Sequence, residues 1–316
     1  MVDAFGRKIT YLRLSVTSLC NLRCRYCMPN GVCKKTHAQM MTEEETIRAV
    51  LVAASLGIKK LRITGGEPLL KKNILSLCKN ISEVEGIEDV SLTTNGILLP
   101  AYAKDLVAGG VKRVNISLDT LDADKYRFIT RTGNLSDALK GLEAALAAGF
   151  QKVKINSVLI GGFNDDEIVA LSELTRQYPV DVRFIEWMPM TELSGASSYS
   201  YLSAQEVIDK LGTRISEQKQ DGVAQLFRLK NGQGNIGLIR PISRNFCASC
   251  NRIRITADGK VRPCLHEKEE YVIKGLTEEE MLATIKEAIL HKPEEHPDLS
   301  GCFANHAGRS MNEIGG

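Results

Sequence analysis

Six short β-branched runs, at 10–16, 60–64, 89–93, 111–117, 152–159 and 181–186, alternate over the first two thirds of the chain with amphipathic stretches of helical period. Strands separated by helices of this length cannot pair as hairpins, so the pattern predicts a parallel α/β sheet with right-handed crossovers. Some helix limits are written locally: Thr42 and Glu45 form a capping box ahead of IRAVLVAASL, and Gly149 follows LSDALKGLEAALAA as a stop. Six units are fewer than a closed eight-unit barrel needs. The expected fold is therefore α/β, a partial (β/α)6 TIM-like barrel, with an open doubly wound sheet as the alternative. In both, chemistry gathers at the C-terminal ends of the strands, where Cys20–Cys27, Gly65-Gly66-Glu67-Pro68, Thr94-Asn95, Ser117-Leu118-Asp119 and Glu186-Trp187-Met188 fall.

After about residue 190 the pattern changes. A helix over 203–211, short runs with NGQGN and ADG turns, and a helix over 277–290 with its own capping box predict a small C-terminal α+β region capping the barrel. Its short runs are expected to form one antiparallel layer, and 291–316 an irregular tail. Gly232-x-Gly234-x-x-Gly237 satisfies the dinucleotide fingerprint literally, but no helix pattern follows it, so it reads as a hairpin turn. No GxxxxGK[ST] phosphate loop occurs.

Against 41 Lys and Arg stand 38 Asp and Glu, a net charge of +3 that gives no general case for duplex nucleic acid or anionic membrane. Neither an apolar signal core nor a run long enough to span a bilayer is present, so the expectation is a cytoplasmic protein. In a reducing compartment the nine cysteines are then candidate metal ligands rather than disulfide partners. Cys20-x3-Cys24-x2-Cys27 and Cys247-x2-Cys250-x13-Cys264 are two triads. Three thiolates leave one iron of a four-iron cube open to a small molecule, whereas a structural zinc site wants four closed ligands. A zinc ribbon from Cys24, Cys27, Cys247 and Cys250 is the alternative, but it strands Cys20 and Cys264. Cys33, Cys78 and Cys302 read as packing residues. Arg252 and Arg254, alternate residues on an expected strand beside the second triad, are candidate bidentate donors to phosphate oxygens.

Cys20-Asn21-Leu22-Arg23-Cys24-Arg25-Tyr26-Cys27, with an aromatic residue before its last cysteine, resembles the hallmark motif of the radical S-adenosylmethionine superfamily, and GGEP at 65–68 resembles a second superfamily motif. Within the superfamily the chain resembles the GTP 3',8-cyclase family over nearly its whole length. The blocks that carry this are RITGGEP (62–68), LTTNG (92–96), NISLDTLD (115–122), VKIN (153–156), RFIEWMP (183–189), the second triad and the terminal Gly315-Gly316. Thr17-Ser18-Leu19 before the first cysteine and Trp187 depart from the family's usual residues.

The resemblance implies two [4Fe-4S] clusters, on Cys20, Cys24 and Cys27 and on Cys247, Cys250 and Cys264, with S-adenosylmethionine on the first and the guanine of GTP on the second. It implies reductive cleavage of S-adenosylmethionine and ring closure between ribose C3' and guanine C8, the first step of molybdenum cofactor biosynthesis. Residue by residue, Tyr26, Gly66, Ser117 and Met188 match contacts to S-adenosylmethionine. Arg13, Arg62, Thr93, Lys154, Arg183, Arg252 and Arg254 match contacts to GTP. Arg252, Arg254, Gly315 and Gly316 match residues needed for the chemistry. The corresponding division is a radical S-adenosylmethionine barrel over 5–218 and an auxiliary-cluster and GTP region over 219–316. Expected partners are an electron donor protein of flavodoxin or ferredoxin type and, in the pathway, cyclic pyranopterin monophosphate synthase, with the chain a monomer or homodimer. Two alternatives are a peptide-modifying maturase with an auxiliary cluster and a zinc-stabilised nucleic-acid-binding module. The 5% aromatic content disfavours the latter.

Overall fold

The computed structural model describes residues 1–28, 37–188, 199–297 and 308–315, so Cys33, Cys302 and Gly316 lie outside the described residues. The six expected strands are present as β1 (Tyr11–Ser15), β2 (Lys60–Thr64), β3 (Asp89–Thr94), β4 (Arg113–Ser117), β5 (Lys152–Gly161) and β6 (Val180–Glu186). They pair in chain order, all parallel. Between them run α1 (Glu43–Ser55), α2 (Ile74–Ser82), α3 (Leu99–Ala108), α4 (Ala123–Thr130), α5 (Leu135–Ala148) and α6 (Ile168–Gln177). Thr42 and Glu45 make the expected capping box on α1, and Gly149 ends α5 in the left-handed conformation at φ 85°.

The remaining elements are β7 (Ser200–Tyr201), α7 (Gln205–Leu211), β8 (Ile215–Asp221), β9 (Ala224–Leu229), β10 (Ile236–Ile239), β11 (Arg252–Ile255), β12 (Lys260–Arg262), β13 (Tyr271–Val272), α8 (Glu278–Leu290) and α9 (Met311–Ile314). Here the structure departs from the expected single antiparallel layer. β10 pairs parallel with β6, and β11 pairs parallel with β1, so the same sheet is extended at both edges. β9 and β8 then continue antiparallel beyond β10, and β12 and β13 beyond β11. The partial barrel of six crossover strands thus carries eight adjacent parallel strands. The expected boundary between residues 218 and 219 falls inside β8. β9 and β10 form the hairpin read from the glycine pattern, and a Cβ at Gly234 would lie 1.8 Å from Val180 O, so only glycine lets that turn press against β6.

Alternation divides the faces. Leu12, Leu14, Leu61, Ile63, Leu92, Val114, Ile116, Ile155, Val182 and Phe184 point outward into one apolar core beneath the helices. Tyr11, Arg13, Arg62, Ser91, Thr93, Asn115, Lys154, Asn156 and Arg183 occupy the alternate positions and face the concave side. Both faces of a parallel sheet are covered, so this polar lining calls for partners of its own. Among the described residues no helix is long and apolar enough to cross a membrane.

Candidate active site

Three backbone segments converge at the C-terminal end of β1 and β2. Gly66 N–H donates to Thr17 O and Glu67 N–H to Leu19 O, both at 2.7 Å, which clamps the GGEP turn onto the chain entering the first cysteine motif. A Cβ at Gly66 would lie 2.3 Å from Leu19 O and one at Gly65 2.6 Å from Thr17 O. Both glycines are therefore demanded by the loop itself. Glu67 accepts from Leu69 N–H (3.1 Å), Thr94 Oγ1 (2.8 Å) and Asn95 N–H (2.8 Å), and ties the turn to the end of β3. Burial raises its carboxyl to about 7.

Cys20, Cys24 and Cys27 are each partly buried at this end. Burial, then the neighbouring Cys27, Asp119 and Cys20, push the Cys24 thiol well up, and burial with Cys20 pushes Cys27 to about 12. Thiols that repel one another this way sit close together, and a polynuclear iron group would repay their deprotonation. Tyr26 donates to Asp119 Oδ2 at 2.7 Å, and Val158 N–H to Asp119 Oδ1 at 2.8 Å. A cavity lined by Cys24, Tyr26, Asn95, Ser117 and Asp119 opens beside the motif. Tyr26 and Ser117 thus share one cavity. Met188 does not line this cavity; it packs against Ile314, as do Met311 and Leu265. Glu186 serves the scaffold: it accepts from Ala204, Ile242 and Ser243 N–H at 3.0, 3.1 and 2.9 Å.

Cys247, Cys250 and Cys264 are likewise partly buried, and burial with the two companion thiols outweighs a donor from His296 N–H to raise Cys247. Cys250 moves the other way: burial raises it, but Lys292 and Arg252 outweigh burial. Among the described residues no three His, Cys, Asp or Glu side chains converge closely enough to hold a single metal ion.

Between the triads the concave face is cationic. β11 and β1 place Arg254 opposite Arg13, and β1 and β2 place Arg13 opposite Arg62. Tyr11 lies between Arg252 and Arg62, with their guanidinium carbons 5.8 and 5.7 Å from its ring centroid. Burial, then Arg254 and Arg62, hold Arg13 well below the usual arginine value, and burial with Arg252 brings Arg254 to about 10. Further round, burial and Arg183 depress Lys154 to about 8. Arg62 Nε, Thr93 Oγ1, Asn115 Oδ1, Asn156 Oδ1, Arg183 Nε and Arg252 Nε are buried without a hydrogen-bond partner. The guanidinium and hydroxyl donors among these atoms mark a place for an anion, and the two amide oxygens for hydrogen-bond donors on the same guest.

One feature of this chamber escaped the sequence reading. Asp221, at the tip of the β8–β9 hairpin, accepts from Lys154 Nζ at 3.0 Å and Arg183 Nη2 at 2.7 Å, so a half-exposed carboxylate of the chain itself occupies two of the expected phosphate cations. The Asp221-Gly222 pair was a legible turn signal, but nothing local says which face the hairpin folds across. The C-terminal segment also enters. Asn312 Nδ2 donates to Ser18 O at 3.1 Å and Arg254 Nη1 donates to Gly315 O at 2.7 Å. Gly315 is thereby brought to Arg254.

A parallel sheet with a three-cysteine motif at the end of its first strand defines a radical S-adenosylmethionine protein, and residues 14–175 match the Radical SAM superfamily. That membership brings one [4Fe-4S] cluster and S-adenosylmethionine. Residues 180–298 match Molybdenum Cofactor Synthesis C. The GTP 3',8-cyclases of Alkaliphilus oremlandii and Moorella thermoacetica are 46% and 45% identical to the chain over 321 and 327 aligned residues, covering 100% of each partner. The chain belongs to the GTP 3',8-cyclase family. The crystal structure of Streptococcus suis SuiB bound to S-adenosylmethionine has the same fold over 82% of this chain and 61% of that one, with a TM-score of 0.62 and 17% identity.

Proposed function

We propose that the chain cyclises GTP to 3',8-cyclo-7,8-dihydroguanosine 5'-triphosphate, the first step of molybdenum cofactor biosynthesis. The observation that carries the substrate is the cationic face with its unpartnered buried atoms, set between two cysteine triads. Cys20, Cys24 and Cys27 would hold the first cluster and Cys247, Cys250 and Cys264 a second; when bound with S-adenosylmethionine, the first supplies one-electron radical chemistry.

The chain's own residues bind, orient and exclude water. Tyr26, Gly66 and Ser117 would cradle S-adenosylmethionine, with Asp119 holding the Tyr26 hydroxyl, and Met188 would act through its packing against the tail. Arg13, Arg62, Thr93, Lys154, Arg183, Arg252 and Arg254 would receive GTP. Neutralising a triphosphate in a dry site takes several fixed cations, and bidentate guanidinium groups also fix its orientation. The second triad would anchor the guanine, placing C8 toward C3'. Gly315, with Gly316 beyond the described residues, would close the chamber on Arg254. Functionally, 5–218 would form the S-adenosylmethionine half and 219–316 the GTP half of one continuous sheet. An electron donor of flavodoxin or ferredoxin type and cyclic pyranopterin monophosphate synthase would act before and after it, with the chain a monomer or homodimer in the cytoplasm.

Reconstituted protein incubated anaerobically with S-adenosylmethionine, GTP and a reductant should yield 5'-deoxyadenosine and, after oxidation, a fluorescent pterin. Replacing both Arg252 and Arg254 should abolish the pterin while 5'-deoxyadenosine partly persists. Pterin formation at the wild-type level would remove the two arginines from the substrate site.

A further inference from the structure

Around the second triad lie two buried cations that no step above uses. Arg7 is 7% exposed and Lys292 3% exposed. Arg7 Nη1 donates to Cys247 O at 2.9 Å and Glu294 O at 2.8 Å, and Nη2 to Pro293 O at 2.7 Å and Lys292 O at 3.4 Å. Its charge is met by Asp3, whose Oδ2 accepts from Nε at 2.6 Å. One guanidinium therefore staples the N-terminal segment, the Cys247 loop and the chain leaving α8. Lys292, fixed by this staple, sends Nζ to Pro263 O at 2.7 Å, one residue before Cys264, and its charge lies near enough to Cys250 to lower that thiol. Arg7 and Lys292 between them reach all three cysteine segments.

The difference between the two cations decides what Lys292 is for. Arg7 has a carboxylate. Among the described residues Lys292 has none; its Nζ is held by a neutral carbonyl, with the Cys250 thiol nearby. A buried ammonium needs compensating negative charge, and among the described residues the thiols of the second triad stand ready beside it to carry such charge. We propose that Lys292, locked by Arg7, is the positioning residue of the second triad, a fixed cation that balances the charge of an iron-sulfur cluster there and sets its reduction potential. A reduced cluster carries one more negative charge than an oxidised one, so a fixed cation favours reduction.

The inference rests on the proposed second cluster, and the test separates the two. Full-length protein is reconstituted anaerobically, its iron counted and each cluster titrated potentiometrically by electron paramagnetic resonance. Wild type should hold about eight irons, two four-iron cubes. Four irons would end the second-cluster reading itself. Lys292→Met should either lose the second cluster while keeping the first, or keep it with a more negative potential, an expected tenfold fall in the reduction constant, about 59 mV for one electron. Lys292→Arg keeps the charge and should restore both the iron and the potential. The first cluster reports folding and should not move. Eight irons and an unshifted second potential in Lys292→Met would overturn the proposal. Loss of both clusters in both variants would assign Lys292 to general folding and overturn it equally.

Discussion

Gly315 combines two constraints that can be weighed separately. Its φ is 84°, and a Cβ there would lie 2.5 Å from Thr64 Oγ1 and 2.9 Å from Ser15 Cβ. In Gly315→Ala the left-handed backbone costs about 1–2 kcal/mol and overpacking a further 1–3 kcal/mol or so. Summed, about 2–5 kcal/mol lowers the docked population of the tail by roughly 30-fold to several thousand-fold, at 1.4 kcal/mol per decade. Gly308→Ala is the control, because its φ is also positive, at 67°, yet its Cβ would meet nothing nearer than Lys268 Cγ at 3.8 Å. Hydrogen exchange of amides 310–315, followed by mass spectrometry of the C-terminal peptide, measures docking directly, and pterin yield measures its consequence. Protection should fall far more in Gly315→Ala than in Gly308→Ala, which bears the backbone cost without the overpacking, with pterin formation following the same order. Equal protection of 310–315 in wild type and Gly315→Ala would refute the close approach to Thr64 on which the reasoning depends.

The chamber's charges give three more expectations. With Lys154 depressed to about 8 by burial and Arg183, the free protein carries that ammonium below pH 8 and loses it above. GTP affinity by calorimetry should therefore fall as pH rises from 7.5 to 9.5, by up to tenfold per unit from this group, and Lys154→Arg should flatten the profile; a flat wild-type profile contradicts the assignment. Asp221→Asn removes the carboxylate that occupies Lys154 and Arg183 and should tighten GTP binding most at low salt, whereas unchanged or weaker binding would mean the carboxylate orders the cations rather than competing for them. Glu67→Ala strips the acceptor from three donors, two of them backbone N–H groups, and should destabilise the fold by about 3 kcal/mol or more in urea unfolding; a change within experimental error would count against Glu67 as the tie between the GGEP turn and β3.

What the sequence determined about this protein is what is local in physical origin. β-branched runs fix the six parallel strands because period and propensity act over a few residues, and Thr42, Thr277 and Gly149 fix helix ends because caps are satisfied within one turn. The triads are legible because thiol spacing and thiol chemistry are local, and resemblance carried the arginine assignments onto the positions the sheet brings to one face. What only the tertiary structure decided depends on partners far apart in the chain. Nothing in RIRI or NIGLI says that one strand joins β1 and the other β6, since both edges offer the same backbone hydrogen bonds and apolar flank. Nor does local pattern send Asp221 to Lys154, Met188 to the tail, or Lys292 to the second triad, because partners so far apart in the chain meet only after the sheet has curled and the chain ends have met across it.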